Sequence, residues 1–109
     1  MKTMNDWLNE GRKNTGSEFV LTRRVTCADG YSVSIQASSG HYCIPRITEH
    51  HVGNYSAFEL GFPSSADTQL MPYAEDESDP TETVYAYVPR DILEQVIESH
   101  GGITGFEVA

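Results

Sequence analysis

At 109 residues the chain is long enough for one domain with a single core and too short for two. Sixteen acidic against seven basic residues give a formal charge of -9, which excludes a broad basic face for phosphate and favours a basic partner. No charged start followed by an apolar run and no stretch of membrane-spanning length occurs, and Cys27 and Cys43 are too few for a disulfide framework, so the sequence predicts a cytoplasmic protein with two reduced thiols. The charge is unevenly placed. Up to Arg24 five cations face three carboxylates, whereas from Val25 onward only Arg46 and Arg90 face thirteen.

In chain order, Thr3 or Asn5 can cap a short helix with Met4, Trp7 and Leu8 on its apolar side and Gly11 as its stop. So short a helix is marginal alone, and Trp7 is expected to dock it on the domain. Lys13 to Ser17 reads as a connecting loop. From Glu18 the chain alternates, with Phe19, Leu21, Val25 and Cys27 on one face and Val20, Thr22, Arg24 and Thr26 on the other. After Ala28-Asp29-Gly30 the alternation resumes with Val33, Ile35 and Ala37 opposite Ser32, Ser34 and Gln36. This predicts a β-hairpin in which Gly30 supplies the positive φ of a three-residue turn.

An irregular stretch follows from Ser38 to Asn54. Tyr55 to Phe62 reads as a third strand, with Phe58, Leu60 and Phe62 on one face, closed by Pro63. Residues 64–82 show little periodicity, and a loop of that length in a compact domain is functional or disordered. Thr83 to Val88 alternates again, with Val84, Ala86 and Val88 pointing one way and Tyr85 and Tyr87 the other. Pro89 ends that ladder. Ile92, Leu93, Val96 and Ile97 then make one stripe of a helix whose other side carries Glu94, Gln95 and Glu98, with Asp91 at its positive start, His100 at its negative end and Gly101 as its left-handed cap. Gly105 to Val108 is a short edge strand or a tail. The fold class is α+β: one domain over residues 1–109, with an antiparallel sheet of about four strands, a short N-terminal helix and a C-terminal helix packed on the sheet.

The candidate chemistry is sparse. Glu75, Asp76, Glu77, Asp79 and Glu82 fall within eight residues, and Asp91, Glu94 and Glu98 are expected to add to the same field. Spaced carboxylates of this kind imitate the phosphate row of a nucleic acid, although such a run also serves simply as a solvated loop. Tyr73, Tyr85 and Tyr87 are candidate contact residues, the last two on a strand face turned away from the C-terminal helix and half exposed. His41, Cys43, His50 and His51 are of ligand or nucleophile type, but they lack paired metal-ligand spacing and any nucleophile signature. Cys43 reads instead as a small buried apolar residue. No EF-hand spacing, phosphate loop or nucleophile elbow occurs, and the sequence implies no cofactor and no metal.

The segments Met4-Asn5-Asp6-Trp7-Leu8, Ser34-Ile35-Gln36-Ala37-Ser38, His41-Tyr42-Cys43-Ile44-Pro45-Arg46, Phe58-Glu59-Leu60-Gly61-Phe62-Pro63-Ser64 and Thr83-Val84-Tyr85-Ala86-Tyr87-Val88-Pro89 together resemble small uncharacterised proteins encoded by tailed phages and prophages. That resemblance implies a phage-derived accessory protein in the bacterial cytoplasm, and by analogy one that inhibits a host complex as anti-CRISPR proteins do. The expectation is therefore a non-enzymatic protein that binds a host protein's basic nucleic-acid-binding surface through Glu75, Asp76, Glu77, Asp79 and Glu82, without touching nucleic acid or membrane itself. The competing readings are a small zinc- or thiol-dependent enzyme built on the His/Cys cluster, and a virion or assembly component.

Overall fold

A computed structural model describes residues 2–14 and 20–107. Helix α1 spans Met4–Gly11, and its start is fixed by a capping box: Thr3 Oγ1 accepts from the Asp6 amide, while the Asp6 carboxylate accepts from the Thr3 amide. Leu8 is its buried anchor. Trp7 is partly buried and meets Phe106 edge-on with ring centroids 5.6 Å apart, as expected of a helix too short to stand alone.

Seven strands follow the pattern only in part: β1 Arg12–Asn14, β2 Val20–Thr22, β3 Val25–Cys27, β4 Ser32–Gln36, β5 Ala57–Gly61, β6 Val84–Pro89 and β7 Ile103–Phe106. The main sheet has five strands in the order β6-β5-β4-β3-β7, all paired antiparallel, and β1 and β2 form a separate two-stranded ribbon. The expected count of four strands is thus corrected to five. The loop expected from Lys13 is corrected in its first residues, because Arg12–Asn14 pairs with Val20–Thr22; the rest of it, with Glu18 and Phe19, lies outside the described residues.

The single strand expected from Glu18 to Cys27 breaks at Arg23-Arg24. Ahead of the break the facing is the reverse of that expected, for Thr22 is buried and Leu21 is half exposed, whereas past it Val25 and Cys27 are buried as expected. The chain leaves the sheet there, and Gln36 replaces the missing ladder: its Oε1 accepts from the Thr22 amide and its Nε2 donates to the Thr22 carbonyl, each at 2.8 Å. A side-chain amide can do this because it carries one acceptor and a donor group at one tip, like a peptide.

The β3–β4 hairpin forms as expected, with Gly30 at φ 93. Register then sorts the faces. Val25 is opposite Val33, Ile35 opposite Leu60 and Phe58 opposite Val88, giving one apolar inner face. Gly61 lies between Ser34 and Val84 on the other, since a Cβ added there would stand 3.8 Å from Ser34 Cβ and 3.7 Å from Val84 Cγ1.

Helix α2, Arg90–Ser99, crosses the inner face from the β6 edge to the β7 edge and buries Leu93, Val96 and Ile97. Its C-terminus is closed by backbone bonds from Gly101 to Glu98 and from Gly102 to Ile97. Gly101, at φ 88, also lies so close to the hairpin turn that a Cβ would come within 2.8 Å of Ala28 Cβ. Both constraints require glycine.

Strand β6 departs from simple alternation. Leu60 is opposite Tyr85 and Phe58 opposite Val88, so two residues of β5 span three of β6, and Tyr87 takes φ 53. The bulge moves Val88 onto the face of Tyr85. The outward, half-exposed placement expected for Tyr85 is therefore corrected: Tyr85 is fully buried under α2, Val84 and Ala86 turn outward, and Tyr87 is exposed. The Tyr85 hydroxyl donates to the Pro80 carbonyl, which ties the loop before β6 to the core. Tyr85→Ala should cost about 3–5 kcal/mol through the cavity it leaves, and Tyr85→Phe about 1 kcal/mol through the lost hydrogen bond. Urea denaturation checks both, and the ranking Ala well below Phe is the expected outcome.

Candidate partner-binding surface

The carboxylates from 75 to 82 sit on ordered turns. Ala74 bridges to Tyr85 and the Glu75 amide donates to the Val84 carbonyl, so the segment runs briefly along the outer edge of β6. The Asp76 amide donates to Thr83 Oγ1, while Asp76 Oδ1 accepts from the amide and hydroxyl of Ser78 at 3.0 and 2.6 Å. This is the Asx-turn that aspartate forms locally. Further turns are closed by bonds from Asp79 to Asp76 and from Glu82 to Asp79. The Ser78 hydroxyl, then its amide, hold the Asp76 carboxyl below its ordinary pKa. All five side chains are exposed, and none pairs with a cation among the described residues.

The topology brings other acids to this end of the sheet. The hairpin turn at Asp29, the C-terminus of α2 and the segment from Phe62 to Glu82 all meet there. The Asp29 amide donates to the His100 carbonyl, and the Phe62 amide to the Thr83 carbonyl. His100 joins three elements: its Nδ1 is 2.7 Å from Asp29 Oδ2, its Nε2 is 3.5 Å from Asp67 Oδ2, and its ring stacks on Tyr31 with centroids 3.8 Å apart. Asp29, Asp67 and Glu98 thus share an end with the five loop carboxylates. Asp91 and Glu94 do not, which corrects the expectation that they add to that field: they lie at the opposite end of α2, beside Arg90 and Ser56.

Three of the seven cations are engaged elsewhere by the fold. Arg90 donates to the Tyr55 and Val52 carbonyls and to Asn5 Oδ1. Arg12 donates to the carbonyls of Ala37 and Glu49. Arg24 donates to Ser32 and to the Phe62 carbonyl and pairs with Glu107 at 2.7 Å. Each guanidinium thus bridges backbone segments that are far apart in the chain.

Of the tyrosines proposed as contacts, Tyr73 is half-buried in a 3-10 turn, Tyr85 is inaccessible, and Tyr87 is exposed beside Tyr42 with ring centroids 5.8 Å apart. Sequence reading missed Phe62, which the alternation of β5 would bury. It is instead 47% exposed, at φ 52, in a shallow groove with Arg24, Pro63, Thr81, Glu82 and Glu107. The signal for it was not in the alternation, because the ring is turned outward by a positive φ where the chain bonds to Thr83, just ahead of β6.

His41, Cys43, His50 and His51 do not converge. Among the described residues no group of three His, Cys, Asp or Glu side chains is placed to hold a metal. The Cys43 thiol is buried and donates to the Ser38 carbonyl, burial raising its pKa, whereas His50 and His51 are exposed. His41 Nδ1 lies 2.6 Å from the Oγ of the fully buried Ser38, and burial lowers the pKa of the ring. Cys27 is likewise buried, which together with the Asp29 charge pushes its thiol up to about 11. Neither cysteine has the depressed pKa of a reactive thiolate. No helix among the described residues is long and apolar enough to cross a membrane.

Compared with protein-family models, with curated proteins and with solved structures, the chain matches none.

Four groups, Asp6, Asp29, Asp76 and His41, make stability depend on pH in the same direction. The Tyr31 amide, then His100, hold the Asp29 carboxyl below its ordinary pKa, so its contribution is complete above the unfolded value of about 3.9 and is lost as pH falls through the folded one. His41 is also depressed, so the folded state favours the neutral ring and loses stability as pH falls below the unfolded value of about 6.5. Melting temperature should therefore fall in two stages between pH 7 and pH 2. Asp29→Asn should reduce the lower stage, to which Asp6 and Asp76 also contribute, and His41→Asn should flatten the upper, as read by circular dichroism.

Proposed function

We propose that this protein binds a basic, nucleic-acid-binding surface of another protein through the acidic end of its sheet, and so blocks that surface. The observation that carries the reading is the set Glu75, Asp76, Glu77, Asp79 and Glu82, exposed on hydrogen-bonded turns and without an ion-pair partner among the described residues. Carboxylates held by turns lose less entropy on binding than carboxylates on a floppy tail. Unneutralised, they also attract a cationic groove over a Debye length and speed encounter with it. Asp29, Asp67 and Glu98 extend the field at the same end. The resemblance to phage-encoded proteins makes a bacterial host complex the natural partner, with inhibition as the outcome.

The test is capture from bacterial lysate on immobilised protein, washed at low and at high salt, with competition by added duplex DNA. Nucleic-acid-binding proteins should be retained at low salt and released by either salt or DNA. A variant carrying Glu75→Gln, Asp76→Asn, Glu77→Gln, Asp79→Asn and Glu82→Gln should keep its melting temperature and lose the captured protein. Undiminished capture by that variant would overturn the reading.

A further inference from the structure

Phe62 and Tyr87 are the only non-glycine residues at positive φ among the described residues, at 52 and 53 degrees. Both are aromatic and both are exposed, 47% and 42%. That combination runs against folding. A bulky residue in the left-handed region is strained, glycine or asparagine would relieve the strain, and a half-exposed ring gains little burial in return. The two rings flank the sheet face that α1 and α2 leave uncovered, whose floor is built from small side chains such as Ser34, Gly61 and Ala86.

Each ring has both carboxylate and guanidinium groups near it. Phe62 shares its groove with Glu82 and Glu107, and Glu107 is already paired with Arg24, which leaves Glu82 for a ligand. Next to Tyr87, the Tyr42 ring already carries a guanidinium, that of Arg46, 5.0 Å from its centroid, and Glu59 lies behind them with its carboxylate accepting from the Tyr42 amide. An exposed ring beside a carboxylate is the chemistry that receives arginine: the face takes the guanidinium by cation–π attraction and the carboxylate takes its N–H donors.

Resting on the reading of an acidic protein with a basic partner, we propose that the uncovered sheet face between Phe62 and Tyr87 receives an extended basic segment of that partner, with one arginine on Phe62 and Glu82 and a second on Tyr87. The Phe62 amide bonds to the Thr83 carbonyl, and Tyr87 lies four residues further along β6. The two backbone positions are therefore about 13 Å apart at ~3.3 Å per residue, a span that arginines four apart in an extended chain match.

The test uses a fluorescent ten-residue peptide of alternating Arg and Gly, and its Lys counterpart, in binding titrations at moderate salt. The Arg peptide should bind at least fivefold tighter than the Lys peptide, and Phe62→Asn with Tyr87→Asn should weaken the Arg peptide about tenfold without lowering the melting temperature. Equal affinity for the two peptides, or wild-type affinity of a folded double variant, would overturn the inference. Amide shift perturbation on the unmodified protein provides a reading free of any folding defect. Shifts at Ser34, Gly61 and Ala86 support the proposal, and shifts confined to the exposed side of α2 overturn it. Glu75→Gln with Asp76→Asn, Glu77→Gln and Asp79→Asn separates the two claims. If these four changes leave affinity unaltered the acidic reading fails, whereas if they weaken binding and the aromatic changes do not, only the present inference fails.

Discussion

Helix α2 is strung between the two edges of the sheet and fixed at both ends by side chains that reach other elements. At its start the Arg90 guanidinium closes on the carbonyls of Val52 and Tyr55 and on Asn5, joining the long irregular segment and α1 to the helix. At its end His100 stands between Asp29 and Asp67 over the Tyr31 ring, and Gly101 lets the cap press on the hairpin turn. Between those ends Leu93, Val96 and Ile97 bury the inner face of the sheet. Every other feature follows this arrangement. The helix commits one face to the core, leaves the opposite sheet face uncovered, and draws the hairpin turn and the loop before β6 to one end.

The same arrangement accounts for the electrostatics. A chain with long irregular segments has many backbone carbonyls that no strand or helix satisfies, and guanidinium groups are the side chains best suited to take several at once. With seven cations in all, turning Arg12, Arg24 and Arg90 to this task leaves the acidic end with little to oppose it. The negative field is thus a by-product of how the backbone is closed as well as of composition.

Strain and exposure coincide at Phe62 and Tyr87. In most positions a sheet places aromatic rings where alternation sends them, and the energy of burial holds them there. Here backbone bonds from Phe62 to Thr83, from Ser64 to Ser32 and from Tyr87 to Tyr42 fix the main chain, and each ring goes where the distorted backbone points it. Two rings are displaced in this way to exposed positions, and the proposed recognition of arginine rests on them.

Local pattern was sufficient for the elements whose contacts are short in sequence. The existence of α1, the hairpin around Gly30, the inner residues Val33, Ile35, Phe58 and Leu60, and the stripe and glycine stop of α2 were all legible, because each rests on periodicity or on a residue with a special dihedral preference, whereas the choice between Thr3 and Asn5 as the cap of α1 was not. The run of carboxylates from Glu75 to Glu82 was legible as composition, and its ordered turns were not. The break at Arg23-Arg24, the strand Arg12–Asn14, the bulge that buries Tyr85 and the outward turn of Phe62 were decided by tertiary structure. In each, one strand must match a neighbour whose register is set elsewhere, and a single inserted or unpaired residue reverses the facing of those beyond it. The gathering of Asp29, Asp67 and Glu98 beside the acidic loop belongs to the same class, since only the path of α2 across the sheet makes neighbours of residues so far apart in the chain.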